Sequence, residues 1–225
     1  MISKIHQRLL SMKDEKYLEF NAKIIKDTHY EMIGVRLPDI RKYSKELLKT
    51  DWQKSFKDQY YEEVLLHGLC IGQCKCAWNE KEEMIDKFLP LIDSWGLCDS
   101  FVSSIKDIKK NKDVYYPRIK KYLKAKEEFI QRYGLVVLLD YYIDDKYLDD
   151  LYRIIKTQKY NGYYSKMAGA WLLSYLFMFY FDNTLDYVKD NTIDDFVYKN
   201  GIQKALDSYR LTEKQKKILK AIKNK

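Results

Sequence analysis

The sequence predicts an all-α protein whose helices follow one another through short links. Three observations lead to this fold class. The 225 residues include only three prolines, apolar residues recur at helical spacing along nearly the whole chain, and strand-like alternation between turn signals is absent. Apolar residues make up 46% of the chain, which is enough to bury a substantial core.

The helices can be placed from apolar periodicity and from helix-start signals. Pro38 suits a first helical position, Pro117 is expected to open a helix in the same way, and Ser94 is a plausible N-cap for the helix that begins at Trp95. The segment 33–37 is predicted to be a loop. The predicted helices are 2–12, 16–25, 38–48, 60–75, 80–91, 95–106, 117–123, 127–142, 146–155, 163–181, 184–189, 193–209 and 212–222.

The spacing of three unusual residues suggests a repeating array. Trp95 and Arg132 are 37 residues apart, and Arg132 and Trp171 are 39 apart. Both spacings approach the roughly 40-residue period of paired-helix repeats. Residues one repeat apart share a face in a solenoid. We therefore expect residues 1–225 to form a single helical-repeat domain with these residues along one surface.

The net charge of +8 is unevenly distributed along the chain. Residues 103–132 carry a net charge of +6 and residues 199–225 carry +7, whereas residues 133–198 carry −4. If folding brings the two basic segments together, they form one positive face suited to a phosphate backbone. Judged by charge alone, the simpler interpretation is that both basic segments face solvent and bind no partner.

No membrane or targeting segment is visible in the sequence. The longest mostly apolar run, 167–181, is shorter than the roughly 18 to 20 residues of a membrane span and is typical of a buried helix. The N-terminus lacks an apolar signal core, so we expect a cytoplasmic protein without membrane contact.

Three of the four cysteines lie close together in sequence. Cys70, Cys74 and Cys76 fall within seven residues of one predicted helix, too close for a disulfide framework. A zinc site with His67 is an alternative, but structural zinc normally takes its ligands from two segments. We interpret these cysteines as small buried side chains and predict no metal site.

A tryptophan and a carboxylate stand four residues apart at a predicted helix start. Trp95 and Asp99 share one face of that helix, and the helix dipole favours an ionised carboxylate near its N-terminal end. From the residues alone, core packing of Trp95 and a surface role for Asp99 are the simpler interpretation.

Arg132 and Trp171 are also candidates for a site. The helical neighbours of Arg132 are apolar, and its guanidinium needs a partner because an unpaired buried charge is costly. That partner is either a protein carboxylate or a ligand phosphate bound bidentately. Trp171 lies in an apolar helix, where a core position is more common than a ligand contact.

The chain resembles the AlkD-type DNA glycosylases, the HEAT-like repeat proteins of DNA alkylation repair, over nearly its whole length. The segments that carry the resemblance occur in the family's order. They are the segment 34–41, the Trp95 and Asp99 pair, Arg132 in its apolar helix, the segment 168–171, and the segment 200–206 followed by Arg210.

The resemblance implies a C-shaped HEAT-like solenoid whose concave basic face binds duplex DNA. The implied reaction is the excision of N3- or N7-alkylated purines in base excision repair, by a monomeric hydrolase that needs no cofactor. Catalytic roles fall on Asp99, Trp95 and Trp171. The residues expected to bind DNA are Arg132, Arg36, Lys166 and Arg210.

The implied chemistry needs only one carboxylate. A quaternised purine leaves as a neutral base, so no general acid is required, whereas most glycosidases use two carboxylates. Asp99 would stabilise positive charge developing on the deoxyribose and position water. The faces of Trp95 and Trp171 attract the same charge through their quadrupoles, and both effects grow as oxocarbenium character grows.

Two other functions fit the same features. The first alternative is a non-catalytic helical-repeat protein that recognises branched or distorted DNA, since this fold includes branches without clear excision activity. The second is a solenoid that binds an acidic protein. Release of an alkylated base separates the enzyme from the first alternative, and salt-dependent DNA affinity separates both from the second.

Overall fold

A computed structural model describes residues 3–26, 28–190 and 192–223 of the chain. Thirteen α-helices occur in these ranges, which contain no β-strand beyond an isolated bridge between Glu31 and Tyr60. The predicted all-α fold class is therefore confirmed for the described residues. The solenoid arrangement and the C-shape stay predictions. Ile2, the predicted start of the first helix, lies outside the described residues.

The chain divides into two compact units, Met1–Asn111 and Lys112–Lys225. The single domain expected from the sequence stays a prediction. The helices described in the first unit are α1 (Lys4–Leu10), α2 (Glu15–Ile24), α3 (Leu37–Leu47), α4 (Tyr61–Gln73), α5 (Trp78–Phe88) and α6 (Trp95–Ser104). Those described in the second unit are α7 (Lys112–Tyr122), α8 (Glu128–Tyr141), α9 (Leu148–Thr157), α10 (Tyr163–Phe179), α11 (Phe181–Tyr187), α12 (Asp195–Leu206) and α13 (Glu213–Lys223).

In the first unit, α4 and α6 approach each other closely because glycines lie at their contact. A Cβ atom at Gly72 would overlap the hydroxyl of Ser104, and one at Gly96 would overlap the hydroxyl of Tyr61. Tyr61 and Gly96, near the starts of the two helices, contact each other, and so do Gly72 and Ser104 near their ends. The two helices therefore run parallel, with α5 as the connection between them.

In the second unit, α8, α10 and α12 pack as parallel neighbours. Glu128 of α8 accepts hydrogen bonds at the start of α10, from the backbone N–H groups of Tyr164 and Ser165. Lys166 of α10 pairs with Asp194, the N-cap of α12, at 3.0 Å. One helix connects each neighbour to the next, α9 and then α11. This local arrangement is typical of paired-helix repeats.

One predicted helix start was wrong. Pro117 was expected to open a helix, but α7 begins at Lys112 and Pro117 lies inside it. The hydroxyls of the buried Tyr115 and Tyr133 are 2.8 Å apart, which ties the first half of α7 to α8. Burial of this face offsets the roughly 3 kcal/mol that a proline costs inside a helix.

The long apolar run occupies α10, which ends two residues earlier than predicted. Tyr180 leaves the helical conformation with φ −137° and ψ 55°, and α11 begins at Phe181. The run is a packed helix, as the sequence indicates, with most of its length buried. Among the described residues, no helix is both long and apolar enough to cross a membrane.

The cysteine prediction was also partly wrong. Cys70 is buried in α4, but that helix ends at Gln73, so Cys74 caps it and Cys76 lies beyond it in an exposed position. At the end of α4, the buried Lys81 ammonium donates to the carbonyls of Gly72 at 3.2 Å and Cys74 at 2.8 Å. Burial raises the pKa values of the Cys70 and Cys74 thiols to about 12, so both stay protonated at neutral pH.

Candidate functional site

Helix α6 begins at Trp95 because Ser94 caps it, as the sequence predicts. The Ser94 hydroxyl accepts a hydrogen bond from the backbone N–H of Leu97 at 3.5 Å. The same side chain is hydrogen-bonded to the Tyr61 hydroxyl, whose pKa is raised by burial. A cap of this kind contributes about 1 kcal/mol. The start of α6 is therefore held both by its own cap and by α4.

The residue before this cap anchors a separate loop. The Asp93 carboxylate accepts hydrogen bonds from the Thr28 hydroxyl at 2.8 Å and from the His29 backbone N–H at 2.7 Å. The imidazole Nδ1 of His29 also lies 2.8 Å from Asp93. The segment immediately before Trp95 is thus fixed from outside its own helix. Sequence reasoning missed Asp93, because its partners lie more than 60 residues away.

Trp95 and Asp99 lie on one half-buried side of α6. The other side of the helix, which contains Leu97 and Phe101, is buried in the first unit. Asp99 is the fifth residue of α6, one position beyond its first turn. The helix dipole therefore favours its charge less than the sequence suggested, because that effect fades within one turn.

Arg132 is a buried residue of α8, with 5% of its surface exposed. Its guanidinium Nη1 donates to the backbone carbonyl of Tyr164 at 3.0 Å. The sequence suggested a carboxylate or a phosphate as its partner, and that expectation stays a prediction beside the observed bond to the Tyr164 carbonyl. Glu128 lies one turn earlier and binds the same end of α10. Together, Glu128 and Arg132 hold the start of the helix that contains Trp171.

Trp171 belongs to a partly exposed stripe along α10. The ring centroids of Trp171 and Tyr175 are 6.1 Å apart, and those of Tyr175 and Phe179 are 6.0 Å apart. Phe179 is 52% exposed, and the Arg210 guanidinium lies 5.3 Å from its ring centroid. Sequence reasoning overlooked this stripe, although its spacing of four residues was visible. Its members are Tyr163, Met167, Trp171, Tyr175 and Phe179.

Two of the predicted DNA-binding cations of the surface, Arg36 and Lys166, already have carboxylate partners within the protein. Arg36 donates through Nε to the carboxylate of Asp14 at 2.8 Å. The backbone N–H of Tyr17 and the Arg36 side chain both hold the pKa of Asp14 below its usual value. Lys166 pairs with Asp194, as described above. A phosphate would therefore share or exchange these contacts instead of meeting unpaired cations.

The loop that leads to Arg36 is fixed by a buried carboxylate. Glu62 of α4 accepts hydrogen bonds from the backbone N–H groups of Ile33, Gly34 and Val35, at 2.8, 2.8 and 3.2 Å. Gly34 has φ +93°, a conformation that favours glycine. Sequence reasoning missed Glu62 as well, because its partners are 27 to 29 residues away.

The residues considered for zinc do not form a metal site. Both carboxylate oxygens of Asp58 lie 3.0 Å from Nδ1 of His67, so that nitrogen is already engaged. Cys74 and Cys76 lie with their sulfur atoms 3.5 Å apart, and Cys76 points to the exposed side. Across the described ranges, no group of His, Cys, Asp or Glu side chains could hold a metal ion.

Comparison with known proteins identifies the family to which this chain belongs. A model of the DNA alkylation repair enzyme family matches residues 5–174, about three quarters of the chain. The chain belongs to this family, which places it among the enzymes of DNA alkylation repair, with DNA as its partner. No curated protein and no solved structure matches the chain.

The family match includes Trp95, Asp99, Arg132 and Trp171. It ends inside α10, before the segment 200–206 and Arg210, so their part in the resemblance stays a prediction. The structure places Trp95 and Asp99 in the first unit and Arg132 and Trp171 in the second. Convergence of the four on one groove also stays a prediction.

Proposed function

We propose that this family member is a DNA glycosylase that hydrolyses the N-glycosidic bond of cationic N3- or N7-alkylated purines in duplex DNA. The observation that carries the proposal is the placement of Trp95 and Asp99 on the half-buried side of α6. A carboxylate and an indole that share an accessible helix face can both contact one bound sugar. Family membership in DNA alkylation repair supports the choice of substrate.

Asp99 has one task in this reaction, which is to stabilise a cation. The cationic purine leaves as a neutral base, so positive charge moves from the base to the deoxyribose as the glycosidic bond breaks. The Asp99 carboxylate stabilises that charge and orients the water that attacks the sugar. The indole of Trp95 adds a cation–π attraction that strengthens as the bond breaks.

Other residues of the site act through position. Asp93 and Ser94 fix the start of α6, and therefore the direction in which Trp95 and Asp99 project. Arg132 holds the start of α10, and therefore the position of Trp171.

In this proposal Trp171 contributes a second indole face, while Arg36, Arg132, Lys166 and Arg210 contact phosphates.

The decisive experiment is excision by the Asp99→Asn variant. We expect release of 7-methylguanine or 3-methyladenine from methylated DNA to fall by at least about 100-fold, because a charge that stabilises the transition state is lost. Affinity for undamaged duplex DNA should change by less than about threefold, since a neutral isostere leaves phosphate contacts in place. Single-turnover release and fluorescence anisotropy measure the two quantities.

Asp86→Asn is the matched control. Asp86 is a half-buried carboxylate of α5 in the same unit, outside the proposed site. Its loss should leave excision unchanged. If the wild-type protein binds DNA but releases no alkylated base, the non-catalytic DNA-binding alternative replaces the enzyme. Equal activity of Asp99→Asn and wild type would remove Asp99 from the mechanism.

A further inference from the structure

A cavity of about 680 Å³ opens in the second unit, where α7 and α9 end. This volume lies within the roughly 300–1,000 Å³ typical of small-ligand sites. Its lining combines an apolar wall, formed by Leu123 and Ile154, with a concentration of positive charge. The cationic residues that line it are Lys120, Lys124, Lys126, Arg153 and Lys159.

The single carboxylate of the lining does not balance this charge. Asp150 accepts hydrogen bonds from Lys120 at 3.1 Å and from the Tyr116 hydroxyl at 2.9 Å, and it pairs with Arg153. Lys124, Lys126 and Lys159 are exposed, and no carboxylate in the described ranges pairs with them. Five cations and one carboxylate give the lining a formal charge of +4.

Carboxamides hold the two loops that carry these lysines in a fixed frame. The buried Gln131 side chain donates to the carbonyls of Leu123 at 3.2 Å and Lys159 at 3.0 Å, and accepts from the Asn161 N–H at 2.9 Å. Asn161 in turn donates to the carbonyl of Lys126 at 3.1 Å. The fold therefore holds the lysines near one another before any ligand binds, which lowers the entropic cost of binding.

The ends of α7 and α9 do not cancel the positive charge. Each helix C-terminus carries roughly half a negative charge, so two ends offset about one unit of the +4. Near both ends, the carbonyl of Leu123 also accepts a hydrogen bond from the Gln158 side chain at 2.8 Å. The cavity therefore keeps a positive potential that favours an anion.

We propose that this cavity binds a phosphate-bearing ligand of nucleotide size. Lys124, Lys126 and Lys159 contact the phosphates, and the apolar wall packs against the organic part of the ligand. Two sources share this chemistry, a free nucleotide and a nucleotide unit of a DNA strand. The site is separate from the residues assigned to excision, none of which line the cavity.

The test uses a charge-reversal pair, Lys124→Glu with Lys159→Glu. Calorimetry with ATP, and anisotropy with undamaged duplex DNA, are both run at about 150 mM salt. The control pair is Lys45→Glu with Lys54→Glu, exposed lysines outside the cavity and outside the two basic segments, which change the net charge equally. We expect the cavity pair to weaken binding of at least one probe by about 10-fold or more, and the control pair by less than about twofold.

The two probes separate the sources. Loss of ATP binding with unchanged DNA binding assigns the cavity to a free nucleotide, and the reverse result assigns it to a DNA strand. Inorganic pyrophosphate should compete with whichever probe binds, because the lysines recognise phosphate. Should the glutamate pair unfold, Lys124→Gln with Lys159→Gln replaces it. If the cavity pair and the control pair bind both probes equally, the proposal is overturned.

Discussion

Glu62 is the residue on which the loop 33–35 depends. One of its carboxylate oxygens serves two backbone N–H groups and the other serves a third, and all four residues are buried. Hydrogen bonds to an ionised group contribute more than those between neutral groups. The position of Arg36 at the end of this loop follows from the same contacts.

Glu62→Gln should therefore destabilise the protein by about 2–3 kcal/mol. The amide places an N–H donor against a backbone N–H, so one buried donor loses its acceptor. Chemical denaturation followed by circular dichroism measures the change. Glu83→Gln, an exposed glutamate of α5, should change stability by less than about 0.5 kcal/mol. Equal effects of the two substitutions would contradict the assigned role of Glu62.

Asp194 should make the stability of the protein depend on pH in the acidic range. Burial raises its pKa, but the Lys166 side chain and the N–H groups of Val197 and Phe196 lower it, and the net shift is downward from 3.8. A carboxyl whose folded pKa is depressed stabilises the fold above its unfolded pKa. That stability is lost as pH falls through the folded pKa.

We expect Asp194→Asn to lower stability at pH 7 and to flatten the loss of stability below about pH 4. Thermal unfolding between about pH 7 and pH 3 measures both effects. Asp195→Asn is the control, because Asp195 is the next residue and its side chain is 80% exposed. An acid-dependent loss that is identical in wild type and Asp194→Asn would show that this carboxyl does not contribute.

At the level of single residues, the sequence predicted those whose meaning depends on local spacing. The Ser94 cap was predicted in this way and is confirmed. Trp95 and Asp99 share a half-buried side of α6 as their spacing indicates, and their roles stay predictions. Glu62 and Asp93 were not found, since their partners come from distant segments. For Arg132, the need for a partner was inferred from its apolar neighbours, whereas its bond to the Tyr164 carbonyl of another helix has no local signal in the sequence.

Among the helices, the start of α10 depends on a side chain from α8. Glu128 takes the place of a cap residue, because Gly162 at the N-cap position has no side chain to offer. A Cβ atom at Gly162 would overlap the Glu128 carboxyl group. The φ of Gly162 is 176°, an extended conformation open to any residue, so contact alone explains the glycine.

A double-mutant cycle tests this explanation. Gly162→Ala should destabilise the protein by about 1–3 kcal/mol, because the Glu128 carboxylate must leave the N–H groups that it caps. In a Glu128→Ala background, Gly162→Ala should be nearly neutral, since the obstructing group is gone. Equilibrium denaturation of the four proteins measures the coupling. Additive effects would mean that the two residues do not share this contact.

Helix identity was more predictable than helix boundaries. Apolar periodicity marks a buried face, and every predicted segment overlaps an observed helix. The start of α7 was misplaced because Pro117 was interpreted as a first helical position, although the buried Tyr115 and Tyr116 before it belong to the same helix. The break at Tyr180 has no proline or glycine to signal it, so the apolar run looked continuous.

For the whole molecule, the charge distribution predicts a strong salt dependence of DNA binding. If Arg36, Arg132, Lys166 and Arg210 each neutralise a phosphate, the slope of log K against log salt is about −3.6. Affinity for duplex DNA should then fall by about 100-fold between 50 and 200 mM salt. Fluorescence anisotropy at several salt concentrations measures the slope. Affinity that does not respond to salt would favour the acidic protein partner instead.

The all-α class of the described residues was predictable from composition and periodicity, whereas no local pattern marks the sequence boundary between the two compact units. The boundary after Asn111 lies in a lysine-rich stretch without the proline, glycine or serine content that marks a linker. Compact units form by contacts between distant segments, and a local pattern does not record them. The spacing of Trp95, Arg132 and Trp171 suggests a repeat but records no contact, so the arrangement that it suggests stays a prediction.

The tryptophans are divided unequally between the two units, which gives the protein a built-in spectroscopic label. Trp52, Trp78 and Trp95 belong to the first unit, and Trp171 belongs to the second. In a Trp171→Phe variant, all intrinsic indole emission would originate from the first unit. The difference between its emission and that of the wild type would then isolate the second unit. Melting of the two units could be followed separately without attaching any dye.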